Sequence, residues 1–138
     1  MTTTQDPKLE KSKSKDPEKH FIVLCTSGFE KISSARSALM FATLAAAASL
    51  KTILFCVQDA VDIMVKGSIE KNEKPVPGVP TLALRLEEAL EMGVEIQCCT
   101  QTMANKKIAE ADLLPEVKAA GAMNLIVLAT EAHATLSF

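Results

Sequence analysis

Alternating strand-like and helical stretches predict an α/β fold: a single-domain, three-layer sandwich with a mostly parallel sheet of about five strands flanked by helices. Three observations carry this expectation. Residues 20–26 and 51–57 are continuous apolar runs of strand length, suited to strands covered on both faces. A long helical pattern joins them. Strand-to-helix boundaries coincide with capping and turn residues throughout the chain.

The 138 residues fit one ordinary domain with at most a tail, and 48% hydrophobic content suffices for a core. A net charge of −2 gives no electrostatic footing for nucleic acid, and without Trp or Tyr only five Phe remain for base stacking. No apolar run approaches the roughly 20 residues of a membrane span. The Lys- and Ser-rich start lacks the apolar segment of a secretory signal. The expected location is cytoplasmic, where four cysteines stay reduced and serve as core, metal-binding or redox-active groups.

Residues 1–19 mix five lysines with Asp6, Glu10, Asp16 and Glu18, and after Met1 carry one large apolar side chain, Leu9. They read as a disordered charged tail ahead of a domain spanning 20–138. After the first strand, Ser27 to Glu30 matches a capping box. The helix that follows carries Ile32, Ala35, Leu39, Ala42 and Ala46 on one stripe. Met40, Phe41, Leu44 and Ala48 lie off it, so this helix is apolar on two sides and its second cover can be another subunit. The second strand, 51–57, is closed by Gln58 and Asp59, and 60–65 reads as a short helix. Residues 66–79, with Gly67, Pro75, Pro77 and Gly78, read as a loop. Pro80 suits the first turn of a helix to Met92 with Leu82, Leu86 and Leu90 inward, and Gly93 ends it.

Residues 93–103 are the chemically suggestive stretch. Val94, Ile96 and Cys98 alternate with Glu95, Gln97 and Cys99, so the two thiols leave a short strand on opposite faces. Cys99 continues the polar face, and Thr100 or Thr102 can cap a helix running to Lys106, Lys107 and Ile108. A helix N-terminus and two lysines would favour a thiolate. The alternative is a pair of structural cysteines, because free Cys is among the most buried residue types. Beyond this, residues 125–130 read equally as strand or helix. In the helical reading 116–120 is a short strand and 133–138 the last one.

Cys25, Cys56 and Cys99 each fall near the carboxyl end of a predicted strand, where function gathers in such sheets. Zinc is not expected, since no C-x-x-C or H-x-x-x-H occurs and His20 and His133 lie at opposite ends of the chain. The single Gly28 after the first strand is too little for a dinucleotide loop, and no Walker pattern follows. No cofactor is implied. A Cys98–Cys99 disulfide would be strained and would oppose the strand alternation. His133 reads as a strand-edge residue. Met40, Met64, Met92 and Met123 occupy core-like positions, whereas Met103 lies four residues past Cys99.

The order of these segments resembles the DsrE/DsrF-like family of small sulfur-handling proteins over nearly all of residues 20–138. The resemblance rests on the first strand with Thr26-Ser-Gly28, the helix Ala35 to Ala42, and Thr52 to Phe55 leading to Asp59-Ala-Val61. It continues with Gly78-Val-Pro80, the Leu82–Leu90 helix, and Gly93-Val-Glu-Ile96 leading to the cysteine. Cys99-Thr-Gln-Thr-Met103 is similar to the Cys-x-x-Ser-Met segment of the family's sulfur-oxidiser branch, with Thr102 for serine. The resemblance favours helix for 123–132 and strand for 134–138.

It implies a cysteine-based sulfur carrier or sulfurtransferase, accepting sulfane sulfur or thiosulfate on Cys99 as a persulfide or thiosulfonate. Its implied exchange partners are TusA-like carriers and rhodaneses, and its implied assembly is a homo-oligomer, trimeric or hexameric. Only Cys99 inherits the sulfur-carrying role. Cys98, Thr100, Thr102, Met103, Cys25 and Cys56 are candidates for support. Against this stand a non-catalytic docking subunit, a cysteine redox sensor and a small-ligand or nucleotide binder.

Overall fold

The computed structural model describes residues 20–138; the charged stretch 1–19 lies outside the described residues. Five strands form one sheet: β1 (His20–Cys25), β2 (Lys51–Cys56), β3 (Glu95–Cys99), β4 (Val117–Ala120) and β5 (Ala134–Ser137). Their order is β4-β3-β2-β1-β5, and every pairing is parallel. Six α-helices connect them: α1 (Ile32–Ala47), α2 (Ala60–Ile63), α3 (Ser68–Asn72), α4 (Leu82–Glu91), α5 (Thr100–Asn105) and α6 (Ala122–Glu131). This is the α/β architecture the sequence predicts. Among the described residues no helix is long and apolar enough to cross a membrane.

The order of strands decides which helix covers which face. From β1 to β4 the chain moves steadily toward one edge, then jumps back to place β5 beyond β1. Crossovers between parallel strands are right-handed, so the reversed step puts its helix on the opposite face. The main core accordingly holds Val23, Leu54 and Ile96 from the strands with Ala35, Ala38, Leu39 and Ala42 of α1 and Leu82, Leu86 and Ala89 of α4. The α6 helix contributes nothing to that cluster. It lies over the other face, where Ile22, Ile53 and Phe55 are buried, and it buries none of its own residues fully. The helical reading of 123–132 is thus correct.

Several local expectations are corrected. The capping box at Ser27 is not made: the Gly28 N–H donates to Glu30 Oε1 at 2.9 Å, and a 3-10 turn (Phe29–Lys31) precedes α1. Residues 66–79 are not wholly loop, because Ile69 buries against the core and anchors α3. Pro80 lies outside α4, whose cap is Thr81, with its hydroxyl accepting from the Leu84 N–H at 3.1 Å. Residue 65 leaves the short helix and bridges to Leu113. Of the methionines assigned to the core, Met64 is buried, whereas Met92 and Met123 are exposed. The end of α4 is as expected: Gly93 takes φ +88°, and the Gly93 and Val94 N–H groups bond back to Leu90 and Ala89 in a Schellman arrangement.

The turns after β1 and β2 meet at Gly28. A Cβ built there would stand 2.1 Å from the carbonyl oxygen of Asp59, so only glycine lets the two turns touch. Gly28→Ala is expected to cost about 2 kcal/mol or more, because backbone rather than a flexible side chain blocks the methyl. Urea unfolding measures it. An unchanged midpoint would mean the turns separate without loss.

Candidate functional site

The parallel register sorts the four cysteines, all of them free and buried. Cys25 is opposite Cys56 and Cys56 opposite Cys98, so three thiols share one rung across β1, β2 and β3. Cross-strand partners point to the same face, and all three belong to the main core. Cys99 is one residue on, opposite Ala120, and faces the other way. The sequence placed Cys25, Cys56 and Cys99 together at the carboxyl edge. All four reach that edge, but the structure groups Cys98, not Cys99, with Cys25 and Cys56.

The core row is chemically quiet. Burial raises the Cys25 thiol, which donates to the Ser27 carbonyl oxygen at 3.4 Å. Cys56 is pushed well up by the hydrogen bond it shares with Cys98, then by burial. Neutral thiols are poor nucleophiles. Met103 is buried in the same cluster, so its place four residues past Cys99 reflects packing.

Cys99 stands apart. It is 5% exposed, occupies the N-cap position of α5, and is a free thiol. Neither threonine caps α5. Thr102 Oγ1 instead accepts from the Gln58 N–H at 3.1 Å, tying the helix to the turn after β2, where Gln58 adopts φ +54°. Thr100 is exposed, with its hydroxyl 3.9 Å from where a Cβ on Gly121 would lie.

The helix has six residues and ends at Asn105, so Lys106 and Lys107 lie at its far end. Lys106 is committed elsewhere, 3.0 Å from Asp59 and 3.1 Å from Asp62. Those two carboxylates raise its pKa. The expected support of Cys99 by lysine is therefore corrected for Lys106, because Asp59 at the turn after β2 and Asp62 in α2 hold it.

Beneath Cys99 on the same face runs a polar line the sequence reading did not single out. Asn124 Nδ2 of α6 donates to Gln97 Oε1 at 2.9 Å, and Gln97 Nε2 donates to Glu95 Oε2 at 2.8 Å. Lys118 approaches the same Glu95 oxygen at 3.8 Å. Gln97 is 6% exposed, and these bonds satisfy its amide. The alternation that put Glu95, Gln97 and Cys99 on one side was the available signal. Its consequence is that the first turn of α6 is fastened over β3, two residues from the thiol.

The fold has known counterparts. The model of the DsrE/DsrF-like family matches residues 19–138. The chain belongs to that family. Among solved structures, the YchN protein of E. coli superposes with a TM-score of 0.66 at 19% identity, covering 87% of this chain and 99% of its own. The protein of unknown function MTH1491 from Methanobacterium thermoautotrophicum gives 0.63 at 14% identity, covering 88% of this chain and 100% of its own. The conserved protein of unknown function BT1422 from Bacteroides thetaiotaomicron gives 0.59 at 13%, covering 86% and 94%. At these identities the likeness is one of fold. A comparison with curated protein sequences found no match.

Limited alkylation of the native DsrE/DsrF-like chain, followed by peptide mapping, is expected to label Cys99 first, with Cys25, Cys56 and Cys98 labelled only on unfolding. Lys106→Met is expected to leave the pH profile of Cys99 labelling unchanged and to cost under about 1 kcal/mol, as exposed ion pairs do. A profile displaced by more than about half a unit would show that Lys106 does act on the thiol.

Proposed function

We propose that this DsrE/DsrF-like protein is a sulfur carrier that loads and releases sulfane sulfur at Cys99. The observation that carries the reading is the separation of Cys99 from the core row: it alone turns to the α6 face, at a strand end beside exposed Thr100. Family membership supplies the sulfur-relay context.

In the loading step the Cys99 thiolate attacks the outer sulfur of a donor persulfide. A new S–S bond forms on Cys99, the donor's S–S bond breaks, and the donor leaves as a thiolate. With thiosulfate as donor the leaving group is sulfite. In the release step an acceptor thiolate attacks the outer sulfur of the Cys99 persulfide, and Cys99 leaves as thiolate. Sulfane sulfur moves with no net oxidation. An acceptor of the TusA-like carrier type, or a rhodanese as donor, suits this exchange, and a reducing cytoplasm suits four free thiols.

Intact-mass spectrometry after incubation with a small-molecule persulfide is the test. Wild type is expected to gain the mass of one sulfur atom and lose it on reduction. Cys98→Ser keeps the adduct and Cys99→Ser abolishes it. No adduct on wild type, or one that persists in Cys99→Ser, would overturn the reading.

Self-association is the second part of the proposal. Met123 is 71% exposed, Ile126 55% and Val127 49%, all on α6, with Leu136 of β5 at 40%. An apolar helix surface of this kind marks an interaction site, and a second copy covering it gives the homo-oligomer. Paired substitution Ile126→Asp and Val127→Asp is expected to convert the oligomer to monomer in light scattering while far-UV circular dichroism is retained. A monomeric wild type would remove this part of the proposal and leave the chemistry of Cys99 standing.

A further inference from the structure

Away from Cys99, α3, α4 and the segment before β4 enclose an open groove of about 370 Å³. Its floor is apolar, formed by Ile63, Ile69, Leu86, Leu90 and Leu114, and four carboxylates rim it: Glu70, Glu87, Glu91 and Glu116. Among the described residues none of these four pairs with a lysine or arginine. Glu87 and Glu91 stand one helical turn apart on α4, a like-charge spacing that opposes the helix unless a cation intervenes. An apolar floor inside an acidic rim calls for an extended segment that carries apolar anchors beside regularly spaced cations.

The chain supplies one. In residues 6–16 most charged and apolar side chains sort by parity: Pro7, Leu9, Lys11, Lys13 and Lys15 are odd, whereas Asp6, Glu10 and Asp16 are even together with Lys8. Laid out as an extended chain, one edge reads apolar, apolar, Lys, Lys, Lys, and the three acids occupy the other with Lys8. Lysines two residues apart recur at about 6.6–6.8 Å, close to the roughly 6 Å between carboxylate-bearing positions four apart on a helix.

The reach is sufficient. All strands are parallel, so His20 at the start of β1 shares an edge of the sheet with Glu116, which directly precedes β4. Three strand spacings, about 14 Å, separate the two strands, and the eleven residues from Leu9 to His20 extend up to about 36–40 Å.

We propose that residues 7–15 dock in this groove, with Leu9 on the Leu86–Leu90–Leu114 floor and Lys11, Lys13 and Lys15 against the carboxylate rim. The full chain treated with a zero-length carbodiimide cross-linker, which joins lysine to adjacent carboxylate, tests it. Cross-links from Lys11, Lys13 or Lys15 to Glu70, Glu87, Glu91 or Glu116 are expected, and their yield should fall as salt screens the contact.

Leu9→Asp alters no residue of the described sheet or helices and is expected to lower the yield about tenfold or more. Changing the four rim glutamates to glutamine should remove these products. Mixing isotopically light and heavy chains tells docking within one chain from docking between copies, and either supports the proposal. Cross-links spread evenly to Glu30, Asp59 and Asp112, or a yield indifferent to Leu9→Asp, would overturn it. So would an unlinked tail beside a groove that binds an added lysine-rich peptide of unrelated sequence, which would give the groove to a partner protein.

Discussion

Parallel pairing of β1, β2 and β3 in a single register is the constraint on which the molecule's chemistry depends. It brings every strand's carboxyl end to one edge, and with them all four cysteines. Because the side-chain period along a strand is two, the same register divides those cysteines, three to the helix-packed core and one to the reverse face. A one-residue slip of β3 would exchange Cys98 and Cys99 between those surroundings. The contact of Gly28 with the Asp59 backbone and the bond from Gln58 to Thr102 hold the turns that continue the strands. The thiol geometry therefore depends on backbone order more than on side chains near the sulfur.

Much of the fold was legible because apolar patterning dominates it. The runs around Val23 and Leu54 could be little else than doubly covered strands, and Leu82 and Leu86 declared the inner face of α4. Residues 125–130 resisted, since a helix that buries none of its residues fully has no clear stripe, and leucine and valine serve either structure. The helix at Ser68 was hidden by flanking glycine and prolines, with Ile69 its one buried anchor. Of the candidate site, the opposite facing of Cys98 and Cys99 was readable from strand alternation. Which of them joins Cys25 and Cys56 was not, because register is a property of pairs of strands and no single segment encodes it.

The electrostatics around Cys99 differ from the sequence expectation for a related reason. Lys106 is near Cys99 in sequence, but the turn after β2 and the start of α2 bring Asp59 and Asp62 to it from more than forty residues away. Spacing along a chain identifies which charges exist; only the closed sheet decides which ones meet. On the face Cys99 shares, the Asn124–Gln97–Glu95 line fixes α6 to β3.

That line of hydrogen bonds also makes α6 a latch. Among the described helices it alone adds nothing to the main core, and an asparagine side chain fastens its first turn to β3. Segments with few buried contacts open locally at far lower free energy than the whole domain unfolds. A thiol 5% exposed on the sheet face that such an element covers meets its reagents at a rate set by two factors, the fraction of time the latch is lifted and the reactivity of the uncovered sulfur. A neighbouring protein that grips the apolar outer surface of α6 would set the first factor without touching the second, acting as gatekeeper to chemistry in which it takes no part.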